Sequence, residues 1–317
     1  MKIGMLFPGY GSQYVGMGKE LYDEFRLVQE YFEEASNCLN ENFVKLCFAS
    51  SEAELGKMFY AYPAIFLMSV SIVALLREKN IEPHVVAGYG AGAYAALFTA
   101  GGLNFPDGLY LLGKGTLFAQ EFFKTVDVGV LHFIGATRDD LRKQCAAISR
   151  QGIGQIDIAF YHGPDDHLVS GNVQALQLLN NKFDGRSDIE INTISPSICL
   201  RSPLMDPVAE QFKIYLEKVD FPDLKIPLIE TVHAKPITEG KQTREYVIDQ
   251  INHPILWDQS LACLRDCDLL VEIGPGTRLS SLAKKCFPDK PIISIQRQTD
   301  IEKLERIINK DQKPVEL

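Results

Sequence analysis

The sequence predicts an α/β fold, a large domain built on a parallel sheet with a smaller α+β unit inserted into it. Three observations carry this. Strand-length apolar runs alternate with helix-period stretches over residues 1–127, the order that lays helices on both faces of a parallel sheet. Between 128 and 194 the order becomes strand, helix, strand, strand, helix, strand, which is the ferredoxin-like pattern and reads as self-contained. The alternation resumes after Ser195. The expected domains are therefore 1–127 with 195–317, and 128–194.

Each element has its own signal. Lys2 to Phe7 is an apolar strand stopped by Pro8-Gly9-Tyr10-Gly11. Residues 22–37 set Phe25, Val28, Phe32 and Ala35 on one helical face. Residues 61–76 carry no charge and read as a buried helix over 62–77. A strand at 84–87, a glycine-rich turn and a helix at 91–100 follow. Asn104-Phe105-Pro106-Asp107 is a helix start, with Asn104 as the cap and the acid at the third position, and its helix runs to about Lys124. In the insert, strands are expected at 129–134, 155–160, 166–170 and 188–193, and helices at 137–150 and 172–182. Beyond it come a strand at 226–230, a helix at 254–266, a strand at 268–273, a helix at 277–286 and a strand at 291–295.

Composition narrows the function classes. The 317 residues carry 32 Lys+Arg against 41 Asp+Glu, a net charge of −9, and are 46% hydrophobic. A chain of this size closes a core without disulfides or metals. Disordered, collagen-like and low-complexity readings are excluded. An acidic pI near 5.3 excludes non-specific binding to nucleic acid or to a membrane surface. The seven cysteines, 38, 47, 145, 199, 263, 267 and 286, are scattered and read as reduced thiols. No charged-then-apolar segment precedes the first strand, so a cytoplasmic protein is expected. Cys263 and Cys267 lack partners for a zinc site, and no metal or cofactor is expected. Residues 85–106 are uncharged, but glycines interrupt them and a strand opens them, so they are not a membrane span.

Three glycine clusters invite a phosphate-binding reading. Gly108 to Lys114 copies the P-loop spacing, yet Gly115 stands where the metal-binding Ser or Thr belongs, within a helical stretch. Gly9-Tyr10-Gly11 resembles a dinucleotide turn, but Tyr14 holds the third glycine position. Gly88-Tyr89-Gly90-Ala91-Gly92 lies between strand and helix, the setting of a nucleophile elbow, Gly-x-Ser-x-Gly. Gly90 occupies the serine position.

Here a resemblance becomes specific. Phe7-Pro8-Gly9-Tyr10-Gly11-Ser12-Gln13, Gly88 to Tyr94, Arg201-Ser202-Pro203-Leu204-Met205 and Val271-Glu272-Ile273-Gly274-Pro275-Gly276 are similar to motifs of the malonyl-CoA:acyl carrier protein transacylase family, in the same order. Ser170-Gly171 fits its small subdomain. The resemblance implies an α/β hydrolase-like large domain with a ferredoxin-like insert.

It also implies a degenerate site. The family's nucleophilic serine, its histidine base and its carboxylate-clamping arginine map to Gly90, Arg201 and Gly115. Glycine cannot be acylated, and a guanidinium cannot take a proton at neutral pH. Tyr10, Tyr62, Tyr89, Leu256 and Ala93 replace polar residues expected around the cavity. Backbone N–H groups of Tyr10 and Ala91 map to the oxyanion donors, and His162 maps near the cleft. Cys199, two residues before Arg201, is the outside candidate for a nucleophile. Lys114 stands beside Gly115 but about 100° round the helix. Arg201 requires a partner, either a ligand anion or an internal acid such as Asp206.

The leading expectation is a non-catalytic relative that binds or scaffolds in fatty-acid or polyketide synthesis. The partner would be an acyl carrier protein or an acyl-CoA-type ligand. Docking of an acidic carrier would use Lys284, Lys285 and Arg278. The alternatives are an acyltransferase or acyl hydrolase with an atypical nucleophile, and a small-molecule sensor.

Overall fold

The computed structural model describes residues 1–195 and 200–311. Cys199 therefore lies outside the described residues. Strand β1 (Ile3–Phe7) opens the chain. The helix expected over 22–37 is in fact two, α1 (Lys19–Glu24) and α2 (Arg26–Leu39), because Phe25 turns extended at φ −115° between them. Two short helices follow, α3 (Phe43–Ala49) and α4 (Glu52–Leu55), capped by the side chains of Asn42 and Ser51. Helix α5 (Met58–Glu78) buries every residue from Ala61 to Leu76. It is long and apolar enough to cross a membrane, yet 89% of its most apolar stretch is buried inside this protein.

Strand β2 (Val85–Gly88), α6 (Gly92–Ala100) and α7 (Phe105–Phe123) come next. The Asn104 Oδ1 accepts from the Asp107 N–H at 2.8 Å, so the cap starts α7 by satisfying a free donor of its first turn.

The insert contributes β3 (Val128–Ile134), α8 (Arg138–Ser149), β4 (Ile156–Tyr161), β5 (Asp166–Asn172), α9 (Val173–Lys182) and β6 (Glu190–Ile194). After it come α10 (Asp206–Leu216), β7 (Leu228–Glu230), β8 (Lys235–Ile237) and α11 (Gly240–Asn252). Strand β9 (Ile255–Leu256), α12 (Trp257–Ala262), β10 (Leu269–Ile273), α13 (Arg278–Cys286), β11 (Ile292–Ile295) and α14 (Gln298–Asp311) finish the described chain.

The large sheet runs β11-β10-β1-β2-β7-β8 and is parallel except for the β7–β8 pair. The small sheet runs β6-β3-β5-β4-β9. Neighbours among its first four strands are antiparallel, in the order that right-handed crossovers of a ferredoxin-like unit produce. The fifth corrects two expectations. Residues 254–266 do not form one helix, and the insert is not self-contained. Phe160 pairs with Ile255 and Tyr161 with Leu256, in parallel, before α12 begins. One core cluster fills both sides of the large sheet and takes in Val130, Phe160 and Leu168 from the small one. A second lies under α8 and α9, around Phe133, Leu141 and Val169.

Candidate functional site

Phe7 pairs with Gly88, so the loops after β1 and β2 leave the sheet side by side. Their contact is too close for side chains. A Cβ on Gly9 would stand 2.2 Å from the Tyr89 carbonyl oxygen, one on Gly88 2.3 Å from the Ala93 nitrogen, and one on Gly92 2.1 Å from the Phe7 oxygen. Gly90 sits at the apex with φ 58°, and Ala91 leads into α6 with no side-chain cap. A Cβ on Gly90 would meet one neighbour within 4 Å, the Arg201 Nη2 at 3.5 Å. The elbow thus keeps its backbone while its apex carries no functional atom.

Arg201 is held over that apex from two sides. The Ser170 hydroxyl of β5 donates to the Leu200 carbonyl at 2.5 Å. Ser202 caps the short turn Pro203–Met205. Between them Arg201 takes a left-handed backbone, φ 51°, and is only 4% exposed. Its Nε has no hydrogen-bond partner among the described residues. Asp206, the internal acid that the sequence offers, accepts instead from the Asn252 amide at 2.6 Å. No carboxylate lies within ion-pair reach of Arg201 among the described residues.

Arg201 lines a narrow cleft together with Tyr62, Ala91, Gly115 and Gln250. The remaining wall is mostly apolar, from Met58, Leu111 and Phe212 among others, with Tyr94 and Thr116 the polar side chains in it. A Cβ on Gly115 would make ordinary contact with Phe212, at 3.5 Å. Both amide atoms of Gln250, on α11, are buried without partners among the described residues. The Tyr62 ring lies 5.8 Å from that of Tyr10, whose hydroxyl donates to the Gly56 carbonyl at 2.8 Å. The structure therefore brings Gly90, Ala91, Tyr62, Gly115 and Arg201 to one place.

Tyr89, His162 and Leu256 go elsewhere. The Tyr89 hydroxyl lies 2.7 Å from the His162 Nε2, whose Nδ1 is 2.9 Å from the Asp166 Oδ1. His132 Nε2 reaches the same oxygen at 2.8 Å. Burial pushes the Tyr89 phenol up to about 12 and the His162 imidazole down to about 4. Burial also pushes Asp166 up, but the hydrogen bonds from both histidines outweigh it and hold that carboxyl well below the usual range. A neutral His162 thus donates from Nδ1 to an ionised Asp166 and accepts the Tyr89 proton at Nε2. Arg278 sits 5.6 Å over the Tyr89 ring, and Lys285 lies 3.4 Å from the Asp166 Oδ2. His132, His162 and Asp166 present three potential ligand atoms within 4.8 Å of one another. A cation there would displace both histidine bonds beside two basic side chains, so the cluster fits a hydrogen-bond relay better than a metal.

Leu256 sits in β9 and packs on the small sheet's core. Lys114 turns from the cleft toward the rings of Tyr110 and Tyr215, at 5.9 and 5.5 Å. Lys284 and Lys285 are exposed on α13. Sequence reasoning missed Gln250, Asp166 and His132. The sequence pattern assigns no element to 240–252, so nothing in it puts Gln250 at the cleft.

Residues 5–292 match the acyl transferase domain family. Over 306 residues the chain is 31% identical to a malonyl CoA-acyl carrier protein transacylase of Bacillus subtilis strain 168, covering 95% of each. It is also 31% identical to the polyketide biosynthesis malonyl CoA-acyl carrier protein transacylase BaeC of Bacillus velezensis, covering 88% of this chain and 95% of that one. Among solved structures, a malonyl CoA-acyl carrier protein transacylase of Clostridium perfringens matches with a TM-score of 0.90 at 26% identity, over 98% of both chains. A malonyl-transacylase solved in complex with its type II polyketide acyl-carrier protein also gives 0.90, at 25% identity, over 96% of this chain and all of that one.

Proposed function

The chain belongs to the acyl transferase domain family, among the malonyl-CoA:acyl carrier protein transacylase-like proteins, and from that premise we propose that it works without forming an acyl-enzyme. In this reading it is a cytoplasmic binding or scaffolding protein of fatty-acid or polyketide synthesis, with an acyl carrier protein or an acyl-CoA-type ligand as partner. One observation carries it. At the elbow a residue without a side-chain hydroxyl faces a guanidinium, 3.5 Å from where a Cβ would start. An acyl transfer through serine needs a nucleophile there and a base beside it. Gly90 supplies no oxygen, Arg201 accepts no proton, and Gly115 offers no cation to a malonyl carboxylate. The N–H groups of Tyr10 and Ala91 remain as oxyanion donors. Such remnants accelerate hydrolysis over water by roughly 10³–10⁴ in well-studied triads, far short of family turnover.

The enzyme alternative needs another nucleophile. Tyr89, with its neutral histidine and acid, is 2% exposed and keeps its proton until about pH 12, so it cannot attack a thioester from the cleft. Cys199 stays as the candidate, and the test includes it. The protein is incubated with malonyl-CoA and its intact mass read. No adduct is expected. A malonyl adduct, or transfer to a carrier protein at family-like rates, would overturn the proposal. Loss of that adduct in Cys199→Ala would give the role to the cysteine. Restoring the three positions together, Gly90→Ser with Arg201→His and Gly115→Arg, should revive transfer more than Gly90→Ser alone, since a positioned base contributes about 10²–10⁴ in rate. Carrier docking is assigned to Lys284, Lys285 and Arg278. Reversing the two lysines to Glu should weaken carrier capture by at least about tenfold.

A further inference from the structure

We propose that the cleft beneath the elbow binds a free short- to medium-chain carboxylic acid, carboxylate on Arg201 and alkyl chain along the wall toward Phe212. This rests on the preceding reading, because a ligand there would occupy the space that a transferred acyl group needs.

The charge comes first. Arg201 is 4% exposed, its Nε is unpartnered, and no described carboxylate reaches it. A buried cation left this way is costly, and an anion that enters the cleft removes the cost. Gln250 is the second observation. Its amide is buried on the same wall with both polar atoms unpartnered, so the cleft offers a neutral donor as well as a charged one. Arg201 lines the same cleft as Gln250 and Ile251, which puts it beside α11. A fork of N–H groups with an amide donor suits a planar carboxylate.

The wall then selects the rest of the molecule. The rest of the described lining, with Met58, Leu111, Leu112, Met205, Val208 and Phe212, holds no second cation, and Gly115 adds none. A second carboxylate would be buried unpaired, so malonate is disfavoured against a monocarboxylate of similar or greater length.

The experiment is calorimetric titration of the purified full chain with acetate, butyrate, hexanoate, octanoate, malonate and octanol, beside melts of wild type, Arg201→Gln and Gly115→Leu. Affinity is expected to rise with chain length to an optimum, with octanol and malonate each weaker than the best acid by at least about tenfold. Arg201→Gln should lose that affinity while melting no lower than wild type without ligand, since it removes an unpaired charge. Gly115→Leu fills the wall and leaves Arg201 untouched, and should shorten the preferred acid. Equal binding of octanol and octanoate, full affinity in Arg201→Gln, or no binding by any acid would overturn the proposal. A malonyl-CoA adduct in the same preparation would instead overturn the loss of acyl-enzyme chemistry, whatever the acids do.

Discussion

Gly90 and Arg201 face each other with φ 58° and φ 51°, yet the same left-handed backbone has different consequences for them. Glycine takes it almost freely, whereas a residue with a Cβ is strained there by about 1–3 kcal/mol. Gly90→Ser should therefore lower stability, even with 3.5 Å of room toward Arg201. The lower chain entropy of serine returns roughly 0.4–1 kcal/mol, so the net loss is about 1–2 kcal/mol. Paired melts check it, and a mutant melting at or above wild type would mean that the apex is unstrained. His162 sets the pH dependence. Its folded pKa, about 4, lies below the ordinary histidine value of 6.5. The unfolded chain then binds the extra proton first, so stability is complete above about pH 6.5 and falls as pH drops toward 4, by about 3 kcal/mol in all. Asp166, held below its usual range, adds its own loss only at still lower pH. Denaturant melts from pH 7.5 to 4.5 should show that slope in wild type and a flatter one in His162→Gln.

At the scale of elements, the elbow is the part most fully legible in sequence, because its glycines are demanded by backbone contacts. Gly88→Ala would drive a Cβ to 2.3–2.4 Å from Ala93 backbone atoms, and Gly92→Ala to 2.1 Å from the Phe7 oxygen. Backbone cannot step aside as a side chain can. Each should cost at least about 3 kcal/mol or prevent folding, against a much smaller loss for Gly90→Ala. Soluble yield and melting temperature distinguish the three. The same contacts explain why the motif could be read from spacing alone. Glu272 is a parallel case, since its buried carboxylate accepts from the Leu279 and Ser280 N–H groups and so starts α13. What was not legible depends on long-range pairing. Ile255-Leu256 reads as the start of an amphipathic helix, and only the register against Phe160 and Tyr161 makes it a strand. The resemblance puts Leu256 at the cavity, whereas the same pairing carries it into the small core. Tyr89 and His162 were each noticed alone. Their bond, across 73 positions, has no local trace in sequence.

For the whole molecule, the question is whether 128–194 stands as a unit. Its sheet is completed by β9, and its Val130, Phe160 and Leu168 belong to the core of the large sheet. Excised, the fragment would expose those side chains and lose an edge partner. It should bind hydrophobic dyes and give a poorly dispersed amide spectrum, while the intact chain melts in one transition. A well-dispersed fragment would overturn this. The position of β9 also has a mechanical consequence. The chain enters the small sheet at β3 and leaves it at β6, which are neighbours near one edge. Two tethers so close define an axis about which a body swings, as in hinged two-domain proteins. β9 clamps the opposite edge, far from that axis, and so blocks the swing. Guest exchange then depends on rotamer and loop motions, on nanosecond to microsecond timescales, with no slower opening of the whole molecule to wait for.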